Sequence, residues 1–386
     1  MEAVGIICEY NPFHRGHEKQ LRIIRAQLGA DTPVVCLMSG SFVQRGAPAL
    51  FAKSVRARAA VECGASLVLE LPVSYALRSA EGFARGGVEI LSRLGAVDAL
   101  CFGCESGDGG EIWRAAQAMC SPEYDTLLRV QLSQGLSYPA ARQRALEALC
   151  GGGMLLRAPN DILAVEYCKA IIQQQSALRP MAIRREGSYH DVRADAENPS
   201  ATAVRACLDA GNEDWRPLVP AAAAALYADA PRYTMQAGER AVLARLRGLT
   251  QRKWQSVPFG SEGLWSKVYR AVQTQTSVDG IIDASVSRRY PRTRLQRMVM
   301  CAYLGITDGQ LHERTPYVRV LAFDAAGRAL LRQMHARAPE YLVHAGQRVQ
   351  ESDYAQLEAR SEALYALFCE GTVAANEKNR VFQKKT

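Results

Sequence analysis

Short aliphatic runs alternate with longer amphipathic stretches through the first half of the chain, and this alternation limits its fold more than any other feature. "AVGIIC" (3–8), "PVVCLM" (33–38), "SLVLEL" (66–71) and "VDALCFG" (97–103) are rich in Val, Ile and Leu with little polar interruption. Such runs fit strands buried on both faces. Helical periodicity fills 15–29, 49–63 and 78–94, with Gly64 and Gly95 where helices end. Further helical stretches at 109–119, 138–149 and 161–176 precede a fifth strand, "MAIRR" (181–185). Strand–helix repetition of this kind predicts an α/β fold: a Rossmann-like parallel sheet with helices on both faces. Ligands of such sheets bind beyond the carboxyl ends of the strands.

After "DAPRYTMQAG" (229–238) the pattern changes to helices at 237–248, 261–276, 292–303, 325–336 and 353–369, with "PYVRVLAFD" (316–324) as a short strand or connector. Two domains are expected, 1–230 with the sheet and 231–386 mainly helical. Charge divides along the same line. Residues 1–230 hold 23 Lys and Arg against 25 Asp and Glu; residues 231–386 hold 24 against 14. The whole positive excess of +8 thus sits in the helical half, which fits a polyanionic partner, a nucleic acid before an anionic membrane, or a merely basic surface. The 11 cysteines are odd in number and lie in apolar company, as thiols of a reducing cytosol do. Cys101-Phe-Gly-Cys104 is a lone CxxC without the second pair a structural zinc site needs. Glu2 stands where a secretory leader would be basic, and "LVPAAAAALYA" (218–228) is too short to span a bilayer. A cytoplasmic protein with no protein-held metal is expected.

"EYNPFHRGHEKQ" (9–20) follows the first strand and opens the first helix. His14 and His17 fall on one side of a helical turn that also carries unpaired backbone N–H groups. Two imidazoles at such a terminus suit a phosphate on which charge builds in a transition state, and Gly16 between them leaves the backbone open to a close ligand. A metal pair lacking its third ligand, or plain helix capping, are the other readings. Far along the chain, "NPSATAVRACLDAG" (198–211) offers Ser200 as a helix cap with Thr202 and Arg205 in the first turn. Hydroxyls, free N–H groups and a guanidinium suit the β- and γ-phosphates of a nucleotide.

The two stretches together resemble the nucleotidyltransferase superfamily. The whole run is similar to the bacterial tRNA(Met) cytidine acetate ligase family, through "EYNPFHRGH" (9–17), "MSGSFVQRGAPA" (38–49), "FARGGVEIL" (83–91), "CFGCESGD" (101–108), "PNDILAVEY" (159–167), "RREGSYHD" (184–191) and "SRRYPRTRLQR" (287–297). The resemblance implies an enzyme that uses ATP to activate acetate as acetyl-adenylate. It then acetylates the exocyclic amine of the wobble cytidine of elongator tRNA(Met). It places the nucleotide on Ile7, Cys8, Glu9, Tyr10, Asn11, Pro12, Phe13, His14, Arg15, Gly16, His17, Glu18, Lys19 and Gln20, and on Gly103, Asn160 and Arg185. The sequence departs from the family at Ala47, often acidic, at Asp161, often asparagine, and in a shortened glycine stretch that leaves Arg184 and Arg185 both in contention.

On this reading His14, His17, Thr202 and Arg205 are catalytic, Ser200 joins them at the nucleotide, and Mg²⁺ bridges the leaving phosphates. Ser39, Gln44, Arg45 and Lys53 follow the second strand and are expected in the acetate or cytidine pocket. His190 is a further candidate in its turn. Arg288, Arg289, Arg292, Arg294 and Arg297, with Tyr290 for stacking and no acid from Ala284 to Thr307, form the expected tRNA contact. No membrane and no obligate protein partner are expected. A transferase that builds a dinucleotide cofactor, and a non-catalytic RNA-binding protein, remain as alternatives. The chain has no Lys-Met-Ser-Lys-Ser segment of a class I aminoacyl-tRNA synthetase.

Overall fold

In the computed structural model, which describes residues 2–185, 198–371, 373–374 and 381–384, the predicted strands form one sheet. β1 (Val4–Cys8), β2 (Val34–Ser39), β5 (Leu67–Leu71), β6 (Ala99–Cys104) and β7 (Arg179–Arg184) are parallel to their neighbours in the order β5-β2-β1-β6-β7. β3 (Phe42–Val43) and β4 (Ala47–Pro48) make a small separate hairpin. The chain builds outward from β1 through β2 to β5, then returns to β1's other side for β6. The order therefore reverses between β1 and β6, where an open α/β sheet leaves a crevice.

Side chains alternate between the two faces as the pleat requires. Val34, Cys36 and Met38 of β2 join one core, while Val35 and Leu37 join the other. Both cores are covered by helices, which is why these strands read as unbroken apolar runs. The helix Arg15–Leu28 packs Leu21 and Ile24 on one face, and Ala80–Leu94 packs Val88 and Leu91 on the other. Gly95 ends the latter in a left-handed conformation, φ 64°. The helix predicted at 49–63 begins only at Lys53, because Ala49 and Leu50 give their N–H groups to Ser41 O and Asn11 Oδ1.

The C-terminal region is mainly helical. Met235–Arg247, Leu264–Thr274, Val278–Ser285 and Arg292–Leu304 share a core around Trp254 and Met298 that also takes in Phe42, Val73 and Leu77 of the first half. Then the chain returns to the sheet. β8 (Val318–Phe323) pairs antiparallel with β5, and β9 (Leu342–His344) and β10 (Phe382–Gln383) pair with β8. The sheet therefore takes strands from both sides of residue 230: β8 lies between β5 and the strands β9 and β10, with Val318 and Val320 in one sheet core and Leu321 and Ala322 in the other. Among the described residues no helix is long and apolar enough to cross a membrane.

Candidate active site

The residues after β1 cannot continue straight, and hydrogen bonds from distant segments hold their turn. Tyr10 takes a positive φ of 44°, and the Asn11–Pro12 peptide is cis. Phe13 N donates to Tyr227 Oη at 3.1 Å, Leu50 N to Asn11 Oδ1 at 2.7 Å, and Arg205 Nη1 to Asn11 O at 2.6 Å. Beneath them Arg56, a fully buried guanidinium, gives Nη1 to Glu9 O (2.6 Å) and Ser39 O (3.0 Å), Nε to Phe51 O (2.9 Å) and Nη2 to Gly40 O. Sequence reading missed Arg56 because nothing local marks a cation that binds only carbonyls from three separated segments.

The turn delivers His14 as the N-cap of the helix Arg15–Leu28. His14 Nδ1 accepts from Gly16 N at 3.1 Å, and His17 Nδ1 accepts from His14 N at 3.2 Å, a reciprocal capping box built from two imidazoles. The rings stack with centroids 3.7 Å apart. With each Nδ1 accepting, a neutral ring carries its proton on Nε2 and presents that N–H as a donor. Burial, with the nearby charges of Arg185 and Arg205, pushes His14 down to about 3, and burial with His14 and Arg185 holds His17 well below its usual value. Both rings are neutral donors at physiological pH. Gly16 has a different role from the open approach expected of it. A Cβ there would lie 2.9 Å from His14 Cε1 and 3.4 Å from Pro199 O, so glycine lets the ring fold back and the 199–200 segment close in.

That segment starts the second cluster. Ser200 Oγ caps the helix Ala201–Asp209 from Ala203 N at 3.0 Å, and Arg205 Nη2 donates to Thr202 Oγ1 at 3.2 Å. Lys19 Nζ reaches Asn198 Oδ1 at 3.3 Å, so the two helix starts also meet through side chains. Across the β1/β6 crevice, Arg185 lays its stem over Gly103, where a Cβ would be 2.8 Å from Cδ, and donates from Nη1 to Asn160 Oδ1 at 3.1 Å. Arg184 packs on Gly107 instead, so Gly103, Asn160 and Arg185 are the trio brought together. Asp161 accepts from Glu105 N (2.8 Å) and Ser106 N, while Glu105 accepts from Asp161 N at 2.9 Å; the carboxylate fastens the β6 exit to the helix Pro159–Gln173.

His14, His17, Gly103, Asn160, Arg184, Arg185, Ser200, Thr202 and Arg205 line one cleft of about 1020 Å³. Of the residues expected at the nucleotide, Ile7, Cys8, Glu9, Tyr10, Asn11, Gly16, Lys19 and Gln20 line it as well, whereas Pro12, Phe13, Arg15 and Glu18 do not. Phe13 is buried in the core, and Arg15 turns away to Pro217 O. Gln44 and Arg45 also line it; Gln44 N donates to Glu9 Oε1 at 2.6 Å. Ser39 and Lys53 are outside it. Ser39 is fully buried, and Lys53 Nζ is held by Glu70 (2.8 Å) and Glu362 (3.0 Å), whose charges raise its pKa despite burial. His190 lies outside the described residues.

The arginine run behaves unevenly. Arg288 is exposed. Arg289 pairs with Glu262 at 2.6 Å, and Arg292 with Asp279 (2.5 Å) and Asp283, all on the surface. Arg294 is occupied by Phe259 O and Ser261 Oγ, and Tyr290 Oη donates to Glu262 O at 2.9 Å. Arg297 is half-buried over the Phe259 ring, and burial lowers it to about 10. Arg292 alone of the five lines the cleft, with Thr293 and Gln296 beside it. Among the described residues no group of three His, Cys, Asp or Glu could hold a metal ion.

The same layout recurs in known proteins. A model of the HIGH nucleotidyl transferase family matches residues 1–380. A tRNA(Met) cytidine acetate ligase of Acetivibrio thermocellus is 34% identical over 89% of this chain and 88% of its own, and one of Syntrophotalea carbinolica 38% over 86% and 82%. The apo crystal structure of Thermotoga maritima TmcAL superposes over 100% of both chains with a TM-score of 0.91 at 25% identity. The same protein bound with alpha-thio ATP gives 0.89 at 26%, again over 100% of both chains. With its imidazole-capped turn at the sheet's reversal point and this likeness along nearly its whole length, the chain belongs to the HIGH nucleotidyl transferase family and, within it, to the tRNA(Met) cytidine acetate ligases.

Proposed function

We propose that the chain is an ATP-dependent ligase that acetylates a tRNA cytidine, with acetyl-adenylate as the intermediate and the wobble position of elongator tRNA(Met) as the acceptor. One observation carries the reading: His14 and His17 at one helix start, and Ser200, Thr202 and Arg205 at another, converge on one cleft. The relatives' names and the ATP analogue in the Thermotoga protein support the choice of substrates.

In the first step an acetate oxygen attacks the α-phosphorus and pyrophosphate leaves. Acetate is already anionic, so positioning and charge stabilisation are what the site must supply. The Nε2–H groups of His14 and His17 brace the α- and β-phosphates as neutral donors. Thr202, Arg205 and the free N–H groups after Ser200 take the leaving phosphates. Arg185, Asn160 and Gly103 hold the rest of the nucleotide. A magnesium ion carried in with the triphosphate would neutralise charge on the leaving phosphates beside Thr202 and Arg205.

In the second step the cytidine N4 attacks the acetyl carbon. An N–C bond forms, the anhydride C–O bond breaks, AMP departs and the amine proton passes to water or the departing phosphate. The test is acetate-dependent exchange of label between pyrophosphate and ATP. The full chain should show it, and His14→Ala should lower it by about a hundredfold, as loss of a transition-state donor does. No exchange in the unaltered chain, or undiminished exchange in the variant, would remove the adenylation step.

A further inference from the structure

The cleft lies at the large end for a small-ligand site. Its volume of about 1020 Å³ reaches the top of the range of about 300–1,000 Å³ usual for small-ligand sites. The groups assigned to ATP occupy the β1/β6 side. A different part of the lining comes from the β3–β4 hairpin, with Gln44 and Arg45, and from the start of the Arg292–Leu304 helix, with Thr293 and Gln296. The walls touch at one point. Gly46, at φ +75°, sits so close that a Cβ would lie 2.5 Å from Gln296 C and 2.6 Å from Arg297 N. This backbone contact fixes the basic helix beside the hairpin, and the hairpin is tied to Glu9 through Gln44 N. The RNA-facing half and the nucleotide-facing half thus share one cleft wall.

Among the described residues the Gln296 side-chain amide has no hydrogen-bond partner, although it lines the cleft and its residue is only partly exposed. Resting on the ligase reading above, we propose that this part of the cleft is the subsite for one unstacked cytosine, with Gln296 and Arg45 donating to the base's N3 and O2. The chemistry selects those atoms. N4 must stay free to attack the acetyl carbon, so a site that reads the base has N3 and O2 left to hold. Both are acceptors, and Gln Nε2 and an Arg guanidinium are donors. Uracil carries a hydrogen on N3 and would meet the donor with a donor, so the site would disfavour it. A base at this depth must leave its stack, as in other base-modifying enzymes.

The experiment uses the full chain and elongator tRNA(Met) transcripts carrying cytidine or uridine at the wobble position. KM for the cytidine transcript and inhibition by the uridine transcript are compared between the unaltered chain and Gln296→Ala, with KM for ATP from pyrophosphate exchange. The expected result is a tRNA KM raised about tenfold, loss of most of the preference for cytidine over uridine, and an ATP KM within twofold. A tRNA KM and preference both within twofold would overturn the subsite, and so would an ATP KM rising as much as the tRNA KM. Arg45→Ala, which removes the other proposed donor at an exposed position, repeats the test should the first variant fold poorly. Absence of exchange in the unaltered chain would instead defeat the ligase reading.

Discussion

At His14 one ring nitrogen is fixed by a backbone N–H, and this decides what the other can do. His14 and His17 spend Nδ1 on capping, so each has a single outward donor and neither is poised to shuttle protons. Burial makes the same point thermodynamically: His14 is held at about 3 in the folded chain against an ordinary value near 6.5. The unfolded chain takes up this proton first, so this contribution to stability is intact above pH 6.5 and is lost progressively as pH falls toward 3. His14→Asn keeps a capping acceptor and removes the titration. Between pH 7 and pH 5 the unaltered chain should lose more melting temperature than this variant; equal losses would contradict the assignment. The motif itself was plain in the sequence, as was the Ser200–Arg205 start. What was hidden was that the imidazoles cap their own helix, and that Gly16 is needed for the ring to fold back.

Among the elements, the five parallel strands were legible because burial on both faces writes itself as aliphatic runs. β8 was less so. "VRVLAF" is short, separated from its partner β5 by some 250 residues, and nothing local says that it pairs antiparallel. Lys53 and Ser39 misled for a related reason. Both follow the second strand, but Lys53 meets Glu362 only in the folded chain, and Arg56 claims the backbone around Ser39. The Arg292 helix shows how far composition reaches: a basic run was evident, but which guanidiniums face outward was not. Arg292 is the exposed one at the cleft, and its pairs with Asp279 and Asp283 are surface pairs that a phosphate can displace at little cost. Arg292→Ala should therefore weaken tRNA binding and flatten the slope of log affinity against log salt by about 1, read from binding isotherms over a salt series. An unchanged slope would take Arg292 off the RNA path.

Across the whole molecule, the fold brings His14, His17, Gly103, Asn160, Arg185, Ser200, Thr202 and Arg205 to one cleft, and Arg292, Thr293 and Gln296 of the helical half line it too. The charge division pointed to a polyanionic partner, or a merely basic surface, for the helical half alone. The structure adds a close backbone contact between the two halves at Gly46, which a Cβ would bring within 2.5 Å of Gln296 C. The account's central claim is that acetate attacks the α-phosphorus in this cleft before the acetyl group moves to RNA. Acetate labelled with oxygen-18 in both positions, incubated with ATP, elongator tRNA(Met) and the full chain, tests it directly by mass spectrometry of the products. One labelled oxygen should appear in AMP for each acetylcytidine formed and the other in the acetyl group; acetylcytidine with unlabelled AMP, or no acetylcytidine at all, would contradict the account.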